Sequence, residues 1–248
     1  MLAAQCKLLR SLHVPGRPLL LPNAWDAASA RAVVAARFPV VATTSAGVAA
    51  ALGYEDHERA PAGEMLAAAA RIACSVEVPV TVDAEAGYGL APAELADALR
   101  AAGVAGCNLE DTDHSTGELL DPERNARRLA ALREAATAAS YELVVNARID
   151  VFLADRSGRP QLELVEQAAA RASVYLAAGA DCVYPILLRD RAAIVAFLER
   201  VDGPVNLLAL PEAPTVAELA ELGVARISWG GLLQRRSMEQ LAGLLAEL

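Results

Sequence analysis

Along the chain, short apolar runs alternate with longer alanine-rich stretches in which apolar positions recur every three or four residues. The short runs read as strands: "LLLPN" (19–23), "VVATTS" (40–45), "VPVTVDAE" (78–85), "GCNLED" (106–111), "LVVNARID" (143–150), "CVYPIL" (182–187), "PVNLLAL" (204–210) and "ARISWG" (225–230). Segments between them, such as "AGEMLAAAARIACSV" and "PAELADALRAAG", carry helical spacing. Gly103, Gly179 and Gly223 stand where a glycine is expected just past a helix C-terminus. Eight strand–helix units in 248 residues, with no linker or break in composition, predict an α/β fold, a single (β/α)8 TIM barrel over 1–248. The rival, a doubly wound open sheet, would show G-x-G-x-x-G after its first strand, where this chain reads "NAWDAASA".

A barrel places its active site at the C-terminal ends of the strands, so polar residues should crowd there and be scarce elsewhere in the strands. The strand ends carry Thr43, Thr44 and Ser45; Asp83 and Glu85; Asn108, Glu110 and Asp111; Asn146, Arg148 and Asp150; and Asn206. A period of two puts Asp83 with Glu85, Asn108 with Glu110, and Asn146 with Arg148 and Asp150 on shared faces. Asp83, Glu85 and Glu110 would then lie close together and raise one another's pKa values unless a cation sits between them. An all-oxygen set favours Mg²⁺, with Mn²⁺ an alternative, over zinc. The competing reading, in which Arg148 pairs with Glu110 or Glu85, leaves negative charge over. A guanidinium beside such a cluster suits a carboxylate substrate. "TTSAG" (43–47) offers a hydroxyl and backbone N–H groups for an oxyanion, or is an ordinary turn.

Composition narrows the class. At 55% apolar the chain has a globular core, and no apolar run reaches the ~20 residues of a membrane helix. A net charge of −9 without a Lys/Arg cluster makes nucleic acid an unexpected partner. "MLAAQCKLLRSLH" lacks a cleavage-site pattern, so no signal peptide is expected. Cys6, Cys74, Cys107 and Cys182 are far apart, which predicts reduced thiols in a cytoplasmic enzyme.

"LPNAWDAASA", "TTSAGVAAALGYEDHE", "VDAEAGYG", "GCNLED" and "NARIDVF" together resemble, in order, the motifs of the phosphoenolpyruvate mutase / isocitrate lyase superfamily, whose metal motif reads D-x-D-x-G-[FY]-G. The resemblance implies that Ser45, Ala46 and Gly47 contact a substrate carboxylate or oxo group, with Arg148 and, by a looser match, Asn206. It implies a Mg²⁺ site of Asp56, Asp83, Glu85 and Glu110, and catalytic work by Arg148, Glu110 and Ser45 on a small 2-oxo acid through an enolate. It also implies a homo-oligomer, dimer or tetramer. The final segment "LLQRRSMEQLAGLLAEL" would pack on a neighbour or be exchanged with it, whereas an amphipathic helix of this kind ordinarily covers its own barrel.

The departures from the family matter as much. Isocitrate and methylisocitrate lyases carry K-[KR]-C-G-H after the fourth strand, and this chain has "TDHSTGELLDPER", with neither cysteine nor lysine. Cys107 has the wrong strand parity to replace the missing thiol. "VYPILL" lacks the glutamate of the lyases and the histidine of the mutase. His114 reads as a solvated loop histidine, with an acid on a mobile gate as the alternative. The leading expectation is a Mg²⁺-dependent lyase cleaving a C–C bond of a small 2-oxo or 2-hydroxy (di)carboxylate, decarboxylation included. The alternatives are a phosphonopyruvate-type P–C mutase or hydrolase, and a catalytically silent oxo-acid binder.

Overall fold

The structure is a computed structural model that describes residues 1–248. Helix α1 (Leu2–Ser11) precedes β1 (Leu19–Leu21) and β2 (Asn23–Ala24), followed by α2 (Ala27–Ala35), β3 (Val41–Thr43), α3 (Ser45–Leu52) and α4 (Ala62–Cys74). Next come β4 (Val80–Asp83), α5 (Pro92–Ala101), β5 (Gly106–Glu110), the hairpin β6 (Thr112–Asp113) and β7 (Glu118–Leu119), and α6 (Pro122–Ala138). The chain continues through β8 (Val144–Ile149), α7 (Val151–Ala154), α8 (Gln161–Ala177), β9 (Cys182–Pro185) and α9 (Arg191–Leu198). It finishes with β10 (Asn206–Leu208), α10 (Val216–Glu221), β11 (Arg226–Ser228) and α11 (Leu232–Ala246).

Apart from the β6–β7 hairpin, every strand is parallel to its neighbours, and each begins inside one of the apolar runs. β2, β3, β4, β5, β8 and β9 pair in that order, and β10, β11 and β1 form a second ladder. A parallel bridge between Val183 and Val205, with Val183 N–H donating to Pro204 O (3.0 Å), joins the two. The other join is within the chain. β1 pairs with β11 and β2 with β3, so the first strand changes partner at Pro22, whose nitrogen has no proton to give a ladder. Asn23 reinforces this seam: its Oδ1 accepts from the N–H groups of Trp229 (2.8 Å) and Gly230 (2.9 Å), and its Nδ2 donates to Thr43 O (2.6 Å). The ring is the expected α/β barrel.

Helix starts follow from local chemistry. Asp26 caps α2 by accepting from Ser29 N–H, and Ser29 reciprocates. Asp121 caps α6 with Pro122 in its first turn. Helix α1 closes the floor of the barrel, where Leu9 packs so tightly that a Cβ on Gly106 would lie 2.8 Å from its Cδ2 and 2.7 Å from Val144 O.

One expectation about the strands needs correcting. Polar side chains are not confined to the strand ends. Arg226, at the start of β11 and 1% exposed, donates through Nη2 to Asn108 Oδ1 (3.0 Å), which also accepts from Asn146 Nδ2 (2.8 Å). The barrel's middle layer is thus polar and centred on Asn108 Oδ1, although Asn146 Oδ1 and Arg226 Nε within it have no hydrogen-bond partner. Below it His13 hydrogen-bonds through Nδ1 to Leu9 O (2.8 Å) and turns Nε2 toward Arg226 (3.4 Å). No helix is long and apolar enough to cross a membrane.

Candidate functional site

At the C-terminal mouth of the strands lies a cavity of about 380 Å³ lined by Ser45, Ala46, Asp56, Asp83 and Arg148, joined by Asn23, Tyr184 and Trp229. Three segments bring the acids there. Asp83 is the last residue of β4, and its N–H donates to Thr43 Oγ1 (2.9 Å) on the neighbouring strand. Asp56 comes from the loop after α3. Glu85 comes from the glycine-rich turn after β4.

The loop and the turn are latched together. Glu58 N–H donates to Glu85 Oε1 (2.6 Å), while Glu58 Oε1 accepts from Tyr88 N–H (2.5 Å). The latch holds four non-glycine residues at left-handed φ: His57 (68°), Glu58 (57°), Glu85 (48°) and Tyr88 (59°). Such conformations cost roughly 1–3 kcal/mol each and gather where the surroundings over-determine the backbone. They also correct the strand-parity reading of Glu85. β4 ends at Asp83, so Glu85 shares no strand face with it and reaches the cluster by the turn of the chain.

The acids divide into two kinds. Asp83 Oδ1 and Asp56 Oδ1 are shut off from solvent with no hydrogen-bond partner. Burial pushes the Asp83 carboxyl up and Asp56 adds to the rise, against the pull of Arg148 and the Ser45 N–H. Glu85 is pushed up to about 7 by burial, opposed by its bond from Glu58 N–H, with Asp83 and Asp56 adding to the rise. Glu110, by contrast, is engaged. It pairs with Arg148 Nη1, and its Oε1 lies 2.5 Å from His114 Nε2, in ion-pair contact but off line for a hydrogen bond. Burial still lifts its carboxyl to about 6.

The expected four-carboxylate metal set is therefore not assembled as such, and no group of three or more ligating side chains is in place to hold an ion. Two unpartnered oxygens, one from Asp83 and one from Asp56, are what a cation would find. That fits Mg²⁺, which takes one or two carboxylates and keeps its waters. It does not fit zinc, whose sites bring three or four protein ligands, most of them nitrogen or sulfur.

Arg148 projects from β8 and is gripped twice. Nε and Nη2 donate to the two oxygens of Asp150 (2.6 and 3.1 Å), and Nη1 meets Glu110. Burial works against its charge, but Asp150 and Glu110 outweigh it and hold the guanidinium well above its ordinary pKa. Asp150 in turn accepts from Thr112 Oγ1 (2.6 Å), and its N–H donates to Asp111, which Arg171 and Tyr175 anchor from α8.

Ser45 is the first residue of α3, not a strand residue, so the N–H groups of Ser45, Ala46 and Gly47 are first-turn donors with no intrahelical acceptor. Ser45 N–H reaches Asp83 Oδ2 (3.3 Å). Gly47 is needed for close approach: a Cβ there would sit 2.7 Å from Thr44 Cγ2 and 3.0 Å from Trp25 Cβ.

Two expectations are corrected. Asn206 does not reach the cavity. It is fully buried in register with Arg226, its Nδ2 is 3.4 Å from Ser228 Oγ, and the β10 residue at the mouth is Leu208, two positions on. His114 is not solvated. The β6–β7 hairpin folds it inward, its side chain is 11% exposed, and its ring lies 5.5 Å from that of His57. Glu110 draws its pKa up, against burial. Cys107 is fully buried and its thiol is pushed up to about 12 by that burial.

Sequence reasoning missed Glu58, Tyr184 and the seam role of Asn23. Asn23 stood at the end of a strand candidate and could have been read as a polar mouth residue. Tyr184 was hidden inside an apolar run.

Residues 9–248 match the family profile described as phosphoenolpyruvate phosphomutase. An uncharacterised protein of Mycobacterium tuberculosis is 37% identical over 225 residues, 89% of this chain and 81% of that one. The "Probable 2-methylisocitrate lyase 2" of Corynebacterium glutamicum is 31% identical over 257 residues, 98% of this chain and 80% of its own. Among solved structures, a "putative phosphonomutase" from Burkholderia cenocepacia superposes with a TM-score of 0.92 at 44% identity, covering 98% of this chain and 99% of that one. With the profile spanning nearly the whole barrel and a relative matched along almost its full length, the chain belongs to the phosphoenolpyruvate mutase / isocitrate lyase superfamily.

Proposed function

We infer that this protein is a Mg²⁺-dependent lyase that cleaves a C–C bond in a small 2-oxo or 2-hydroxy (di)carboxylate, decarboxylation included. The observation that carries this reading is the pair of buried, partnerless oxygens of Asp83 and Asp56 facing the same cavity as Arg148. Asp83 and Asp56 would hold the ion, with Glu85 and Glu110 behind them. When bound, the ion would supply a positive charge for the oxygen that becomes anionic as the bond breaks. Arg148, kept charged and immobile by Asp150 and Glu110, would bind the substrate carboxylate. The first-turn N–H groups of α3 and the Ser45 hydroxyl would orient the other end. Glu110 would position both Arg148 and His114. His114, whose protonated form Glu110 favours, stands where the thiol-bearing loop of isocitrate lyases would be, and is the residue placed to donate a proton.

Membership in a family described by phosphomutase chemistry, and likeness to the Burkholderia protein, favour one second reading: the same site acting on a P–C bond. A panel assay with Mg²⁺ separates the two. Oxaloacetate or related 2-hydroxy dicarboxylates should be turned over, phosphonopyruvate should not, and turnover should be absent in Asp83→Ala. Turnover of phosphonopyruvate alone would replace the first reading by the second. Mg²⁺-dependent oxalate binding with no turnover of any member would identify a silent binder.

A further inference from the structure

Beside Arg148 lies a second chamber of about 420 Å³, walled by His57, Arg59, His114 and Arg156 and sharing His57, Arg148 and Leu153 with the inner one. Its charge is one-sided. The carboxylate within it, Asp150, is already taken by Arg148 and Thr112. Arg59 and Arg156 are exposed and make no ion pair, although Arg159, three residues on, is held by Asp155 (3.0 Å). In a chain of net charge −9, with carboxylates plentiful, two free guanidinium groups and two imidazoles converge on one space. The two guanidinium groups repel one another there unless an anion joins them.

We propose that this outer chamber is a specificity subsite for a second, distal carboxylate of the substrate, read by Arg59 and Arg156. The inference rests on the metal-centred reading of the inner chamber and narrows it: the substrate is at least a dicarboxylate. One end is held at Asp83 and Arg148, and the other extends past Arg148 toward the chamber mouth. Guanidinium forks suit this task because they accept a carboxylate side-on without fixing the chain that bears it. Two separated arginines allow a range of chain lengths.

Calorimetry in Mg²⁺ tests this with three probes: oxalate, which fills only the inner chamber, and the near-isosteric pair 2-oxoglutarate and 2-oxopentanoate, which differ in the distal carboxylate. Wild-type protein should bind 2-oxoglutarate about tenfold more tightly than 2-oxopentanoate. In Arg59→Gln/Arg156→Gln that preference should close, because only the dicarboxylate weakens, and in wild-type protein it should shrink with added salt. Oxalate binding with no preference between the pair, or a preference that survives the double substitution, would overturn the subsite and leave the inner reading intact. A preference that closes in the variant while oxalate fails to bind would sink the metal-centred reading and keep the chamber as a carboxylate subsite.

Discussion

A buried carboxylate oxygen with no donor in reach, such as Asp83 Oδ1, is destabilising to the folded chain by itself. Asp83→Ala should therefore leave the Tm in metal-free buffer unchanged or raised, while abolishing the rise that Mg²⁺ gives the wild-type protein. That rise is worth about 2.7 kcal/mol at a hundredfold excess over Kd. A preserved Mg²⁺ response in the variant would remove Asp83 from the metal site. At the opposite end of the barrel, burial and then Arg226 lower the His13 pKa to about 4 from 6.5. The unfolded chain therefore binds the proton first. Stability held above pH 6.5 should fall as pH drops from 6.5 to 4, by on the order of 3 kcal/mol. Denaturant titrations across that range check this, and in His13→Gln the slope should flatten by the corresponding amount. At this scale the sequence was partly legible. Asp83 and Arg148 could be placed because each sits on or ends a regular strand facing the mouth. Asn206 could not, since a strand of period two fixes the face but not the height, and Asn206 lies one layer too low.

At the scale of elements, all eight barrel strands were legible, because each is an apolar run bounded by a turn. The hairpin β6–β7 was not: "TDHSTGEL" is too short and polar to signal strands, and only the fold brings His114 back over Glu110. The left-handed turn at Glu85 was equally hidden, since nothing local distinguishes it from one more strand residue. What holds that turn in place is Glu58, reaching it from another element. Glu58→Ala removes the bond to Tyr88 N–H and frees the loop that carries Asp56. Residues that orient a ligating group through such a contact change metal affinity by roughly 10–100-fold. The Mg²⁺ concentration needed for half the thermal shift should rise by about tenfold, with the metal-free Tm little changed. An unmoved midpoint would mean that the latch is dispensable and that Asp56 is held by other contacts.

For the whole molecule, the final helix is the part that the barrel leaves uncovered. α11 has no buried residue, and Met238, Leu241, Leu244 and Leu245 are 44%, 47%, 63% and 59% exposed along one stripe. Beyond its first turns the helix does not cover its own barrel, and a second copy of this chain is the partner we propose for the stripe. Light scattering at micromolar concentration should give a multiple of 25.9 kDa. Leu241→Glu/Leu244→Glu should return the mass toward that of one chain; a wild-type monomer would refute the proposal. The seam at Pro22 has a different consequence, one for biosynthesis. The strand that opens the barrel, β1, takes its ladder partner from β11, which leaves the ribosome roughly 200 residues later, some 10–40 s at ordinary elongation rates. During that interval Leu19–Leu21 present an apolar strand edge with no mate, and Asn23 Oδ1 lacks the N–H groups of Trp229 and Gly230 that make its burial tolerable. The barrel can therefore close only after its last strand has been made, and its first strand is the last to find its place.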